Sequence, residues 1–189
     1  MRHRNPKSPQ GFTLFEIHII IALIGIISTT SVVSFQKGRQ DEALRLVAMR
    51  IADALRKTQN YAQTGTHKEY PTAESFGIYL EKSDTVLLFA DNKKGNTVGV
   101  WEGQGKDDMI GESISFDIGA HKNIELGGIT FDGVLVDKAH LAFRAPQAAG
   151  LVNGKPDVSI VLITLKDTKS GHTRAITFNR ITGRVDVEY

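Results

Sequence analysis

The sequence predicts an α+β fold, in which a long N-terminal α-helix with a membrane-spanning first half packs on an antiparallel β-sheet head. Three observations predict it. A largely apolar run covers 12–35, apolar residues recur at helical spacing over 36–62, and short strand-like segments separated by turn residues follow residue 70. Strand–helix alternation is missing, so a doubly wound α/β fold is not predicted.

Composition limits the class of protein. The chain has 189 residues, which suits one domain with an appendage, and it contains no cysteine. Disulfides, thiolate metal sites and a cysteine nucleophile are therefore excluded. Residues 1–62 have nine Lys and Arg against four Asp and Glu, whereas 63–189 have fourteen against seventeen. The mildly acidic second part argues against a nucleic-acid-binding domain as a whole.

The run 12–35 is the first segment with a specific interpretation. As a helix it would be about 36 Å long, enough to cross a hydrocarbon core of ~30 Å. The basic residues before it predict a cytoplasmic N-terminus. A cleaved secretory signal, with the Ser/Thr cluster 28–31 near its cleavage site, is one alternative. A plain transmembrane anchor is another, but it leaves the acid Glu16 unexplained, because a carboxylate is costly inside a membrane.

The segment Gly11-Phe12-Thr13-Leu14-Phe15-Glu16 resembles the prepilin peptidase site of type IV pilins and type II secretion pseudopilins, and the resemblance extends over 11–35. It implies cleavage after Gly11, with Phe12 as the N-methylated mature N-terminus. It also implies that Glu16 pairs with the N-terminal amine of a neighbouring subunit during assembly. Such pairing would offset the desolvation of a lone carboxylate.

The resemblance also implies a division of the chain and a pilin fold. Residues 1–11 would be a basic leader, 12–35 a transmembrane and assembly helix, 36–65 its amphipathic continuation, and 66–189 a β-rich globular head.

Two positions depart from the family pattern. Val33 stands where many major pilins have proline, which favours a minor subunit or a continuous helix. His18 stands where the family usually has an aliphatic residue. It is interpreted either as a metal or proton site or as an imidazole near the membrane interface.

Nine strands are predicted in the head, and Thr182-Gly183 is predicted to form a hairpin turn. The predicted strands are Phe76–Leu80, Thr85–Ala90, Thr97–Trp101, Ile114–Phe116, Ile129–Phe131, His140–Phe143, Ser159–Leu165, Thr173–Phe178 and Arg184–Tyr189. A flexible loop is predicted at Ala145–Asp157. The stretches 75–80 and 88–92 resemble the heads of minor H-type pseudopilins and FimT-like pilins, as do 176–178 and 182–185.

Enzymatic and ligand-binding classes are less favoured. The six histidines form no close metal-ligand pair and no nucleophile elbow is present, so neither a catalytic site, a metal nor a cofactor is predicted. The stretch 91–96 has two lysines where a calcium loop needs alternating acids, so it is interpreted as a surface turn. A C-terminal basic group supplies the candidate DNA contacts, which are Lys169, Arg174, Arg180 and Arg184.

The predicted function is that of a structural, pilin-like subunit and not of an enzyme. It would be stored in the inner membrane as a single-pass protein, with a cytoplasmic N-terminus and a periplasmic head. It would assemble into a type II secretion pseudopilus as a minor, tip or initiating subunit. The alternative is a minor pilin of a type IV pilus for adhesion, motility or DNA uptake. The implied partners are prepilin peptidase, other pilins or pseudopilins, inner-membrane lipid and an assembly platform, with DNA less favoured.

Overall fold

The computed structural model describes residues 12–65, 69–81, 85–92, 97–111, 113–116 and 122–188. The chain divides into two compact units, Met1–Arg39 and Gln40–Tyr189.

One helix, α1, is assigned to Leu14–Thr64. Its side chains are described in two stretches, 14–28 in the first unit and 41–64 in the second, together with Arg39. All side chains of the first stretch are exposed. The second stretch belongs to the same unit as the strands and supplies one side of their core.

Eleven strands follow in the part of the head that the structure describes. They are β1 Ser75–Glu81, β2 Thr85–Asp91, β3 Asp107–Met109, β4 Ile114–Ser115, β5 Ile124–Phe131, β6 Val134–Val136, β7 Lys138–Arg144, β8 Ala149–Val152, β9 Ile160–Asp167, β10 Thr173–Asn179 and β11 Arg184–Val187.

The strands form two antiparallel sheets. The first has the order β3-β2-β1-β7-β8, with β4 also paired to β2. The second has the order β11-β10-β9-β5-β6. Strand β9 shows why the second sheet has one core face: Val161, Ile163 and Leu165 are fully buried, and the alternate residues are not. This period of two is expected for a sheet that packs on one side only.

The core joins both sheets to the second stretch of α1. Fully buried Leu44, Val47, Ile51 and Leu55 recur at three- and four-residue spacing and so form one apolar stripe on the helix. The rings of Phe143 in β7 and Phe178 in β10 meet edge to face, with their centroids 5.6 Å apart, and thereby connect the two sheets.

Contacts between the helix and the C-terminal hairpin fix the helix on the second sheet. The guanidinium of Arg56 donates from Nη2 to the carbonyl oxygen of Val185 at 3.0 Å. Gly183 has φ +69, and its lack of a side chain leaves the space that the Gln59 side chain occupies. A side chain at Gly183 would collide with that amide.

The predicted fold class, a pilin fold with a long N-terminal helix and a membrane-spanning first half, is wrong. The two described stretches of α1 belong to separate compact units, and most of the described chain lies in or between two antiparallel sheets. The described part of the first unit includes the polar residues Glu16 and His18.

Within the described residues, none of the helical sequence is both apolar and long enough to traverse a bilayer. This finding contradicts the predicted single-pass location in the inner membrane, with its cytoplasmic N-terminus and periplasmic head.

Two head segments also differ from expectation. The predicted strand Thr97–Trp101 is a turn segment, because its backbone N–H groups bond to side chains: Gly99 donates to Asp91 and Trp101 to His140. Gly99 has φ +79, which a strand residue does not adopt. Conversely, the predicted loop Ala145–Asp157 contains strand β8, which pairs with β7.

Candidate assembly site on the N-terminal helix

The start of α1 is determined by a cap at Thr13. The backbone N–H of Glu16 donates to Thr13 Oγ1 at 3.3 Å, and that of Ile17 donates to the Thr13 carbonyl oxygen at 3.3 Å. A threonine followed by glutamate three residues later is the capping-box pattern, which satisfies N–H groups that lack a partner in the first turn. Helical structure therefore begins one residue after the cap, at Leu14.

Glu16 occupies the first turn of this helix and is exposed. A carboxylate there interacts favourably with the positive end of the helix dipole. The same side chain is thus suited to two roles, namely completing the cap and presenting a negative charge to a partner. These two roles make different demands on the side chain, since a cap needs only an acceptor oxygen and an ion pair needs the charge.

Large apolar side chains surround this acid, and they are exposed. Phe12, Leu14 and Phe15 are each at least 75% exposed. The exposed set in this segment is Phe12, Leu14, Phe15, Ile17, Ile19, Ile20, Ile21, Leu23, Ile24, Ile26 and Ile27. Because these side chains point in all directions around the helix, no single contact with one surface could cover them. A patch of this kind indicates an interaction surface.

His18 lies one turn after Leu14. Its Nδ1 is 2.8 Å from the carbonyl oxygen of Leu14, and because a carbonyl only accepts, Nδ1 is the donor. Nδ1 therefore carries a proton in this contact. The metal or proton role and the interface role considered for His18 both remain predictions.

The processing site is described only in part. Phe12 and Thr13 are described and exposed. Gly11, after which cleavage is predicted, lies outside the described residues, as does the rest of the leader. Cleavage after Gly11 and methylation of Phe12 therefore stay predictions.

The four candidate DNA contacts do not lie together on one patch. Lys169 and Arg174 flank one end of β10, and Arg180 and Arg184 flank the other, about 20 Å away at ~3.3 Å per residue. Three of the four have protein acceptors. Arg174 donates to the Glu188 carbonyl oxygen at 3.3 Å, Arg180 to that of Val158 at 2.6 Å, and Arg184 to the Asp186 carboxylate at 2.9 Å. DNA contact at these residues remains a prediction.

Sequence reasoning did not find a buried acidic pair in the first sheet. Asp91 and Asp107 are directly opposite each other on β2 and β3, and they are 3% and 2% exposed. Asp107 Oδ2 accepts from the Glu102 N–H at 2.6 Å, whereas Oδ1 is buried with no hydrogen-bond partner among the described residues. Burial, followed by the nearby carboxylates of Asp91, Glu102 and Asp108, raises the pKa of Asp107. No sequence pattern marks this pair, because sixteen residues separate its members.

A metal site is not formed by these acids. Within the described ranges, His, Cys, Asp and Glu side chains do not come together in a group of three or more that could hold a metal ion. The turn interpretation of 91–96 falls mostly on residues outside the described part of the chain.

Comparison with known proteins yields no relative: no protein family, no curated protein and no solved structure matches this chain.

Proposed function

We propose that the chain is a structural subunit of a pseudopilin-type filament of the type II secretion kind, assembled through its N-terminal helix as a minor subunit. The observation that supports this most is the exposed apolar helix surface beside a single acid, four residues after the predicted mature terminus Phe12. Such a surface is stabilised when it is buried against a partner. Helices of other copies or of related subunits can pack on it from several sides at once.

The charge chemistry supports the same proposal. Cleavage after Gly11 would leave a cationic amine on Phe12, and Glu16 would supply the opposite charge. In the packed apolar core of a filament, a lone carboxylate is unfavourable, so the amine of one subunit pairs with the carboxylate of the next. The pairing would also set the axial register between neighbouring helices, because only one stagger brings the two charges together.

The mature terminus tests the processing step. Mass spectrometry of the protein from its native host should give a chain that begins with N-methylated Phe12. A chain that retains Met1, or one that begins near Ser31, would overturn the proposal.

The capping of the helix start must be separated from the charge of Glu16, and two variants achieve this. Glu16→Gln keeps a capping oxygen at the same position but removes the charge. Thr13→Ala removes the cap but keeps the charge, at a cost of about 1 kcal/mol of helix stability. If the charge directs assembly, Glu16→Gln should be processed normally and yet enter filaments poorly, while Thr13→Ala should assemble.

The opposite result rejects the assembly role. If Glu16→Gln assembles as well as the wild type and Thr13→Ala fails, the acid serves only to begin the helix. Circular dichroism of both variants checks that the helix itself is present.

A further inference from the structure

The turn that follows β8 is built on Asn153 and Gly154, the only Asn-Gly pair in the sequence. Two backbone bonds close it: the Val152 N–H donates to the Lys155 carbonyl oxygen at 2.8 Å, and the Lys155 N–H to the Val152 carbonyl oxygen at 3.0 Å. Asn153 and Gly154 have φ values of 51° and 74°. Positive φ at both central residues is typical of a type I′ turn, for which Asn-Gly is a preferred pair.

The side chain of Asn153 takes part in the pairing of β8 with β7. Val152 is opposite Leu141 in that pair, so Asn153 is opposite His140. The Asn153 N–H donates to the His140 carbonyl oxygen at 2.8 Å, as in an ordinary antiparallel pair. The return bond is different, because the His140 N–H donates to Oδ1 of the Asn153 side chain at 2.9 Å. The amide thus takes the place of its own main-chain carbonyl, and its orientation is fixed.

Gly154 packs closely against the segment 97–101. A Cβ on Gly154 would lie 2.8 Å from Thr97 Cγ2 and 2.9 Å from the Val98 carbonyl oxygen. The segment therefore covers the turn on this side and leaves no room for a longer main chain.

An Asn-Gly pair can modify itself without an enzyme. The glycine nitrogen attacks Cγ of the asparagine, so that a C–N bond forms and the Cγ–Nδ2 bond breaks, and ammonia leaves with the proton of the glycine N–H. Water then opens the five-membered imide at either of its carbonyl groups, which gives aspartate or isoaspartate. Glycine favours the attack because it has no Cβ to obstruct its nitrogen and its backbone is the least restricted.

The folded turn keeps the reacting atoms apart. Ring closure requires Cγ of Asn153 to approach the Gly154 nitrogen by rotation about the Cα–C bond of Asn153. That rotation would break both bonds between Val152 and Lys155 and would withdraw Oδ1 from the His140 N–H. An opened turn has none of these restraints, so its reactivity should approach that of an unfolded chain.

From these contacts we propose that Asn153-Gly154 is a latent site of self-modification, which is blocked in the folded head and reacts when the turn opens. Isoaspartate makes the opening permanent, because its main chain runs through Cγ and is longer by a methylene group. The added length does not fit a two-residue turn whose glycine packs so closely on segment 97–101. The site thus records opening of this part of the head as a covalent change.

Modification rates in the folded and unfolded chain test the block. The full-length protein is incubated in ¹⁸O-enriched water with and without urea, and its peptides are analysed by mass spectrometry. We expect Asn153 to react at least about tenfold faster in urea than in the native protein. In urea it should also react faster than Asn123 and Asn179, which are followed by larger residues. Equal native and unfolded rates would overturn the block, and a rate in urea no higher than at the other two asparagines would overturn the site.

A matched pair of glycine variants separates opening of this turn from general destabilisation. Gly99 lies in segment 97–101 with φ +79, and a Cβ there would be 2.9 Å from Cδ1 of Leu151 in β8. Gly171 has φ +74 in the β9–β10 turn, and its Cβ would meet no atom within 4 Å. Gly99→Ala should speed modification of native Asn153 several-fold, whereas Gly171→Ala should keep it within about twofold of the wild type. Equal effects of both variants would contradict the role given to segment 97–101.

The single tryptophan, Trp101, reports whether a modified turn closes again. Its N–H binds His140 Nδ1 and its ring centroid is 5.9 Å from that of Phe89, so its fluorescence depends on this part of the head. Aspartate and isoaspartate forms of the modified chain are separated and refolded. Asn153→Asp is the control, because aspartate keeps an acceptor oxygen and tolerates positive φ. The aspartate form should regain the native spectrum and the isoaspartate form should not; recovery of both would show that the opening is not permanent.

Discussion

The imidazole of His140 accepts a hydrogen bond at Nδ1 from the backbone N–H of Trp101, over 2.9 Å. His140 is 6% exposed, and its ring stacks at 4.7 Å on that of Tyr79. This bond needs an unprotonated Nδ1, so it exists only with neutral imidazole. Burial, and to a lesser degree Lys138, lowers the pKa of His140 to about 4.

Stability should therefore fall as the pH is lowered from about 6.5 to about 4. In this window the unfolded chain binds a proton at His140 and the folded chain does not, so protonation favours unfolding. The loss attributable to His140 should reach about 3 kcal/mol near pH 4. Urea unfolding of the wild type and of His140→Gln at several pH values checks this, because glutamine can accept the Trp101 N–H without titrating.

The informative quantity is the difference between the two proteins, since other groups titrate in both. An identical loss in wild type and variant would show that His140 is not responsible.

The contact between Phe143 and Phe178 predicts a large effect of truncation. Phe143→Ala should lower the free energy of unfolding by about 3–5 kcal/mol, because it leaves a cavity where the two sheets meet. Ile181→Ala removes an exposed apolar side chain and should change stability by less than about 0.5 kcal/mol. Denaturant unfolding followed by far-UV circular dichroism measures both, and similar values for the two would contradict the assigned core.

Gly77 on β1 should not tolerate even a methyl group. A Cβ there would be 2.6 Å from the Leu141 carbonyl oxygen and 2.8 Å from the Ala142 Cβ, so the β1–β7 pair would have to separate. Gly77→Ala should cost about 1–3 kcal/mol. Gly128→Ala is the control, since its Cβ would meet only the end of the Leu135 side chain, at 3.2 Å. In thermal unfolding, the midpoint temperature of Gly77→Ala should be well below that of Gly128→Ala.

Asp132 holds the start of β9 through its carboxylate. Oδ2 accepts from the Ser159 N–H at 3.0 Å and Oδ1 from the Ile160 N–H at 2.8 Å. These two bonds lower the pKa of Asp132. Its contribution to stability is therefore present above the ordinary aspartate pKa and is lost as the pH falls through the lowered value.

Two substitutions of Asp132 should destabilise the protein to different degrees. Asp132→Asn keeps one acceptor oxygen and tolerates the positive φ of 46°, so it should be less destabilising than Asp132→Ala, which keeps no acceptor. Unfolding midpoints at pH 7 give the ranking, and a more stable alanine variant would contradict it.

Local sequence patterns were sufficient to predict much of the second sheet and much of strands β1, β2 and β7. Runs such as 160–165 and 173–178 alternate between core and surface, and the structure places strands over both. Strands β3, β6 and β8 were missed for local reasons. Strand β3 begins with two aspartates, β6 has only three residues, and β8 lies between prolines and glycines. Each forms because a neighbouring strand offers it hydrogen bonds, and a neighbour in space is not visible in a short window of sequence.

The candidate site and the head likewise combine local features, which a sequence pattern can reveal, with contacts between distant residues, which it cannot. The spacing of Thr13 and Glu16 is local, so the cap could have been predicted, although the acid was interpreted through assembly alone. The predicted membrane span is wrong because the described helical residues contain no stretch that is both apolar and long enough to traverse a bilayer. The His140 bond to Trp101 joins residues 39 apart and has no sequence signature.

The hydrogen bond from Arg56 to Val185 spans 129 residues of chain. During synthesis the helix stretch 41–64 leaves the ribosome long before the hairpin that covers part of it. The part of the helix that this hairpin covers stays exposed until the last strands have been translated, and contacts between such distant residues form slowly. Loss of the final strand would therefore remove the acceptor of Arg56 and leave that part of the helix exposed in the folded head.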